Sequence, residues 1–193
     1  MSDPRIDVIG IGNAIVDILV HADDDLLVSE GMTKGAMTLI DADEAKRLYE
    51  KTDGAIECSG GSAANTIVGL ASLGGSGVFV GKVHNDRMGE VFRNDIHAIG
   101  VSYDTLPTVS GPPTATSMVL VTPDAKRTMQ TFLGACVDLG PEDIDLEQIA
   151  DAEITYLEGY LWDPPAAKEA FLKAADAAHQ AGRKVSLSLS DPF

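Results

Sequence analysis

The sequence predicts an α/β fold in which a mostly parallel sheet carries helices on both faces, with a small β lid added. Three observations predict it. Short β-branched runs alternate with amphipathic runs over most of the 193 residues, the pattern of strand–helix–strand units. Glycines follow the amphipathic runs where helices are expected to end. Two stretches, residues 17–38 and 102–132, break this alternation with strand-like runs joined by turns.

Each strand is predicted from a short apolar run, and each helix from apolar residues at helical spacing. In chain order, the predicted elements are a strand at 6–11, helices at 43–51 and 62–73, a strand at 77–83, a helix at 88–99, a strand at 154–157, a helix at 165–181 and a strand at 184–189. Asp41 is the expected cap of the first helix and Ser62 that of the second, because short oxygen-bearing side chains accept hydrogen bonds from first-turn amides.

The two irregular stretches are expected to pair into the lid. The first contains ILVHA, an acidic run at 23–25 that we interpret as a solvated turn, and GAMTLI. The second contains ATSMVLV and KRTMQTF, joined by the turn sequence TPDA. Hairpins of this kind, inserted between α/β units, predict a small second sheet that projects from the main one.

Composition excludes several classes of partner. Lys and Arg total 14 against 30 Asp and Glu, and the formal net charge of −16 would repel nucleic acid and anionic membranes. The most apolar stretch, residues 8–20, is interrupted by Asn13 and Asp17, and residues 1–7 are polar, so neither a membrane span nor a signal peptide is expected. Cys58 and Cys136 have no metal-ligand spacing, and we interpret them as free thiols in the cytoplasm.

The first candidate site is GIGNAIVD at residues 10–17. It begins like a dinucleotide fingerprint, but Ile15 stands where the third glycine belongs and no helical pattern follows. Asn13 and Asp17 are left at the carboxyl edge of the sheet, where open α/β sheets bind ligands. An amide and a carboxylate together suit a pair of vicinal hydroxyls; the alternative is a turn asparagine and a solvated aspartate.

The second candidate site is CSGGSAANTIVGLASLGG at residues 58–75. Gly60 and Gly61 directly precede a helix, where glycine lets a ligand approach the backbone and free helix amides attract oxygen atoms. Asn65 lies in the first turn of that helix. Close packing of a small-residue helix explains its alanines, but it does not explain the glycine pair and Asn65. The phosphate-binding pattern GxxxxGK[ST] does not occur in the sequence.

These blocks resemble the N-terminal signature of the PfkB (ribokinase-like) family of sugar and nucleoside kinases. The residues that carry the resemblance are GNAIVD, GGSAANTIVGLASLGG, VFVGKVHNDRMGEVF and YLEGYL. The resemblance implies a ribokinase-like fold with a β lid, and transfer of the γ-phosphoryl group of ATP, with Mg²⁺, to a primary alcohol. It also implies that Asp17 accepts ring hydroxyls of the substrate, with Asn13, Gly60, Gly61 and Asn65 beside it.

The resemblance leaves the branch of the family open. The spacing of Asn13 and Asp17 is similar to the adenosine-kinase branch, whereas Glu158 resembles the sugar-kinase glutamate that contacts a hydroxyl. Tyr160 could stack on a nucleobase or be a core aromatic at a strand end. We therefore expect the phosphoryl acceptor to be a nucleoside, with adenosine as the leading candidate. The alternatives are a sugar kinase of the ribokinase or fructokinase type, and a binding protein without catalysis if the chain naturally ends at residue 193.

The catalytic motif of the family does not occur in the sequence. The family has a D-T-x-G-A-G-D motif nearer its C-terminus and an N-x-x-E motif associated with magnesium, and neither is found here. We accordingly name no catalytic base and no metal ligand. Because family members are longer, we expect residues 1–193 to be the N-terminal part of the domain, without the ATP-binding half. Exposed lid strands also predict a possible homodimer.

Overall fold

A computed structural model describes residues 5–52 and 54–190. The strands are β1 (Ile6–Ile11), β2 (Ile15–His21), β3 (Met37–Leu39), β4 (Ile56–Gly60), β5 (Gly77–Val80), β6 (Ala115–Val121), β7 (Arg127–Phe132), β8 (Ala152–Glu158) and β9 (Lys184–Ser188). The α-helices are α1 (Asp24–Ser29), α2 (Ala42–Glu50), α3 (Ser62–Ser72), α4 (Arg87–Ala98), α5 (Leu146–Asp151) and α6 (Pro165–Gln180). The first residues of the polar N-terminus and the last three residues lie outside the described part.

The main sheet contains four parallel strands in the order β5-β1-β8-β9. Its two faces are covered by different helices. Ile67 of α3 and Phe92 of α4 are buried in one apolar cluster with Phe79. Ile149 of α5 and Phe171 of α6 are buried in a second cluster. The predicted α/β fold with helices on both faces is confirmed.

The second sheet contains five strands in the order β3-β7-β6-β2-β4. Four of them come from the two irregular stretches, and β2 begins at Ile15, two residues before the predicted stretch. β4 is not among the predicted strands, because its short, partly polar sequence IECSG reads as a loop before a helix. One face of this sheet, which includes Val16 and Ile18, is buried against the main core. Asp17 lies on the opposite face, since neighbouring residues of a strand alternate between faces.

Two local predictions are wrong. The acidic run is exposed to solvent as expected, but it is not a turn: Asp23 caps α1 by accepting a 2.8 Å hydrogen bond from the amide of Leu26. Ser62 is not the cap of α3 but its first helical residue, and the cap position belongs to Gly61.

None of the helices in the described residues is long and apolar enough to cross a membrane.

Candidate functional site

Two connections of the chain meet where the main sheet adjoins the second sheet. The first runs from β1, an inner strand of the main sheet, through residues 12–14 to β2 of the second sheet. The other runs from β4 of the second sheet into α3 through Gly60 and Gly61, and Gly60 pairs with Ile15 at the start of β2. The topology therefore brings both sequence-predicted blocks to the carboxyl edge of the parallel strands, where α/β sheets bind ligands.

Glycine is required at both positions of the pair. Gly61 has a φ of 98°, which favours glycine, and a Cβ there would overlap the carbonyl oxygen of Asn13. A Cβ on Gly60 would overlap the carboxylate of Asp17. The absence of side chains at these two positions thus lets the β4–α3 connection contact the β1–β2 connection directly.

Asp17 is a half-buried carboxylate without a hydrogen-bond donor among the described residues. It lies in the middle of β2, opposite Cys58 of β4 and Ser117 of β6. Burial raises the pKa of Asp17 from 3.8 to about 6, and the positive charge of Arg127 opposes that rise. The ionised carboxylate has lost part of its water without gaining a protein partner, so a ligand with hydroxyl groups could supply the missing hydrogen bonds.

Asn13 places a second unpaired oxygen at the same junction. The residue is 3% exposed, and its Oδ1 atom has no hydrogen-bond partner among residues 5–52 and 54–190. Its backbone amide, in contrast, donates a 2.5 Å hydrogen bond to Oε2 of Glu158. The backbone of Asn13 is therefore held firmly while its side-chain oxygen is left to accept a hydrogen bond.

Glu158 is 1% exposed at the carboxyl end of β8. Besides the amide of Asn13, its carboxylate accepts hydrogen bonds from the Ser62 hydroxyl and, at 3.0 Å, from the amide of Ala63. Three protein donors thus occupy the two oxygens of the residue for which the sequence predicts a contact with a substrate hydroxyl.

Asn65 and Tyr160 are exposed near this junction. The Asn65 amide donates a 2.9 Å hydrogen bond to the carbonyl oxygen of Gly61 within the first turn of α3, and its side chain is open to solvent. Tyr160 follows Glu158 by two residues and is 44% exposed, so it is not a core aromatic. The structure brings Asn13, Asp17 and the glycine pair into contact, whereas Asn65 and Tyr160 are placed around them by chain position.

Sequence reasoning missed the neighbours of Asp17 in the second sheet. The sequence alone favours a solvated surface position for Arg127, yet its charge acts on the Asp17 carboxylate. Burial raises the pKa of the Cys58 thiol, and the negative charges of Asp17 and Asp95 add to that rise. The alternation of KRTMQTF could have placed Arg127 on the Asp17 face, but only once the register of β2, β6 and β7 was known.

No group of three or more His, Cys, Asp and Glu side chains in residues 5–52 and 54–190 is arranged to hold a metal ion.

Comparison with known proteins identifies relatives of similar fold. A probable sugar kinase from Rhizobium etli CFN 42 superposes with a TM-score of 0.90 at 53% identity, over 97% of this chain and 57% of that chain. An adenosine kinase from Sinorhizobium meliloti superposes with a TM-score of 0.89, also at 53% identity and with the same coverage. A probable fructokinase-4 from Arabidopsis thaliana is 29% identical over 140 residues, which are 69% of this chain.

The chain spans 41% of the length of that fructokinase and 57% of each of the two solved structures. Residues 35–193 match the family described as pfkB family carbohydrate kinase. The match covers most of the chain, and the two solved structures share its ribokinase-like fold. The chain therefore belongs to the pfkB family of carbohydrate kinases.

Proposed function

We propose that this chain forms the acceptor-binding part of an ATP-dependent kinase. The kinase transfers the γ-phosphoryl group to a primary alcohol of a nucleoside, and adenosine is the acceptor that we propose. One observation carries the proposal. The Asp17 carboxylate and the Asn13 side-chain oxygen both lack a hydrogen-bond donor among the described residues, and both residues lie beside the glycine pair at the junction of the two sheets. The 53% identity to an adenosine kinase supports the choice of adenosine.

The proposed binding chemistry follows from the two groups. An ionised Asp17 carboxylate accepts hydrogen bonds from neighbouring ribose hydroxyls, and such charge-assisted bonds are about twice as strong as neutral ones. Asn13 Oδ1 accepts one more, and Gly60, Gly61 and Asn65 lie beside these two groups. Fixing the ribose orients its primary alcohol, and phosphoryl transfer depends chiefly on positioning and charge neutralisation. The second sheet acts as the lid that excludes water as a competing acceptor.

ATP and Mg²⁺ enter the proposal through the family alone. When bound, they supply the phosphoryl group and neutralise its charge. Since the sequence has no GAGD motif, we derive no step through either group and assign no catalytic base.

A sugar kinase of the ribokinase or fructokinase type is the second candidate. The probable sugar kinase matches this chain at the same 53% identity as the adenosine kinase, and a fructokinase is also among the relatives. Tyr160 separates the two candidates, because an exposed aromatic ring can stack on a purine but has no base to meet in a sugar complex. Tyr160→Ala should weaken adenosine binding and leave fructose or ribose binding unchanged.

Isothermal titration of the complete protein with adenosine, ribose and fructose tests the proposal. We expect adenosine to bind most tightly and to be phosphorylated in the presence of ATP. Binding without ATP turnover would favour the third reading, a binding protein without catalysis. No heat with any of the three ligands, together with no ATP turnover, would overturn the proposal.

A homodimer through the second sheet and a cytoplasmic location are further parts of the proposal. The edge strands β3 and β4 carry exposed apolar side chains, with Leu39 at 55% and Ile56 at 66% exposure, and such edges favour pairing with another copy. Light scattering tests the dimer. Cys58 and Cys136 are both free thiols, as is usual in a reducing compartment.

A further inference from the structure

Helix α3 begins without a side-chain cap of its own. Its cap position is Gly61, which has no side chain to accept a hydrogen bond from the first amides. The first turn of any helix leaves amides without an intrahelical partner, and buried amides of this kind are costly unless another group accepts them. The partner must therefore come from elsewhere in the chain.

Glu158 supplies this missing cap from the end of β8. One carboxylate oxygen accepts from the Ser62 hydroxyl and the Ala63 amide, both in the first turn of α3. A carboxylate is also favoured at this place because a helix N-terminus carries partial positive charge. Although 95 residues separate Ala63 from Glu158, the contact is as local in space as an ordinary cap.

The other carboxylate oxygen holds the second connection of the site. Glu158 Oε2 accepts the 2.5 Å hydrogen bond from the Asn13 amide. Gly12 makes room for it, because a Cβ at that position would lie 2.5 Å from Oε2 and 2.7 Å from the Cβ of Ala63. One buried side chain thus fixes residues 12–13 and residues 62–63 relative to each other.

We propose that Glu158 is a positioning residue, which caps α3 from a distance and sets the two acceptor-binding connections before any ligand arrives. This inference rests on the proposed function for its effect on binding, but its structural part does not. The alternative is a direct contact, in which the Glu158 carboxylate would bind one particular hydroxyl of the acceptor.

Hydrogen exchange in the complete protein without ligand tests the structural part. In Glu158→Gln the amide group offers only one acceptor oxygen, and its NH₂ meets a donor instead. We expect the amide that faces this NH₂, that of Asn13 or that of Ala63, to exchange on the order of tenfold faster. Glu153→Gln is the matched control, since Glu153 lies on the same strand but pairs with Lys184 at the surface, and it should leave both amides unchanged. Unchanged exchange in Glu158→Gln would overturn the inference.

A series of deoxynucleosides separates positioning from direct contact. We expect Glu158→Gln to weaken adenosine, 2′-deoxyadenosine, 3′-deoxyadenosine and 5′-deoxyadenosine by the same factor, on the order of tenfold, because a displaced site affects every ligand. A direct contact predicts that one deoxy compound becomes insensitive to the substitution, since the bond is already missing. That second result would overturn the positioning role.

Ser62→Ala provides a milder second variant. It removes a single donor to Glu158, and we expect a smaller change of the same sign in exchange at Ala63. If the wild-type protein binds neither nucleosides nor sugars, the proposed function is wrong, while the exchange data still decide the structural part. The two failures are therefore distinguishable.

Discussion

Glu158 in the main sheet and Asp17 in the second sheet are both carboxylates removed from bulk water, but the protein treats them in opposite ways. Glu158 is 1% exposed and accepts three hydrogen bonds from the chain. Asp17 is half-buried and accepts none from the described residues, and burial raises its pKa to about 6. A carboxylate that the fold has satisfied holds structure together, whereas one that the fold has left unsatisfied is available to a ligand.

The largest expected effect is the loss of stability when Glu158, the carboxylate that accepts three hydrogen bonds, is removed. Glu158→Ala removes the acceptor of three donors, two of them buried backbone amides, and leaving such groups unpaired costs on the order of 3–5 kcal/mol. Chemical denaturation should show that loss in the free energy of unfolding. The control Glu153→Ala removes only a surface ion pair and should change stability by less than about 1 kcal/mol. Equal losses of stability in Glu158→Ala and Glu153→Ala would show that the hydrogen bonds of Glu158 stabilise the fold no more than a surface ion pair does.

The next largest effect is the loss of acceptor binding when Asp17, the carboxylate without a protein donor among the described residues, is neutralised. Asp17→Asn should weaken acceptor binding on the order of 100-fold, because it removes the charge from bonds worth about 1.5–3 kcal/mol each. Calorimetry with the acceptor and with ATP checks this, and ATP binding should be unchanged. Asp176→Asn, on an exposed position of α6, serves as the control. Parallel loss of acceptor and ATP binding would contradict the assigned role of Asp17.

Displacing the Asp17 carboxylate should have a smaller effect than neutralising it. A Cβ in Gly60→Ala would overlap that carboxylate and push it aside, so we expect acceptor affinity to fall on the order of tenfold. The matched control is Gly69→Ala in α3, where a Cβ meets nothing within 4 Å. Calorimetry of both variants checks the prediction, which is wrong if Gly60→Ala binds as tightly as the control.

The smallest expected effect is a dependence of binding on pH. Acceptor binding uses the ionised form of Asp17, whose pKa is about 6 in the folded protein. Affinity should be nearly constant above pH 7 and fall as the pH drops through 6, approaching tenfold per pH unit at lower pH. Titrations between pH 5 and pH 8 measure it, and in Asp17→Asn this dependence should disappear. A flat wild-type profile would argue against an ionised Asp17 in the complex.

Sequence patterns predicted the main sheet and its helices because apolar periodicity is a local property of strands and helices. The rule that open α/β sheets bind ligands at the carboxyl edge placed Asn13 and Asp17, and the resemblance to the kinase family added Gly60 and Gly61 beside them. They could not predict that Glu158, and not Ser62, caps α3, since the contact between these two residues joins positions 96 apart. Neither could they predict the raised pKa of Asp17, because burial causes the rise and the register that brings Arg127 near limits it.

The fold buries Asp17 at the expense of stability, and this burial leaves the carboxylate available to a ligand. The unfolded carboxyl titrates near 3.8 and the folded one near 6, so the folded state holds the proton more tightly between these values. The contribution of Asp17 to stability is therefore greatest below pH 3.8 and is lost as the pH rises through 6. At pH 7 the ionised group should destabilise the fold by on the order of 2 kcal/mol, allowing for its partial exposure.

Unfolding of wild-type protein and Asp17→Asn between pH 4 and pH 7, without ligand, tests this claim directly. We expect the two proteins to have nearly equal stability at pH 4 and the variant to become more stable than wild type, by on the order of 2 kcal/mol, at pH 7. A variant that matches the wild-type stability at both pH values, or is less stable than wild type at pH 7, would show that burial of Asp17 does not destabilise the fold.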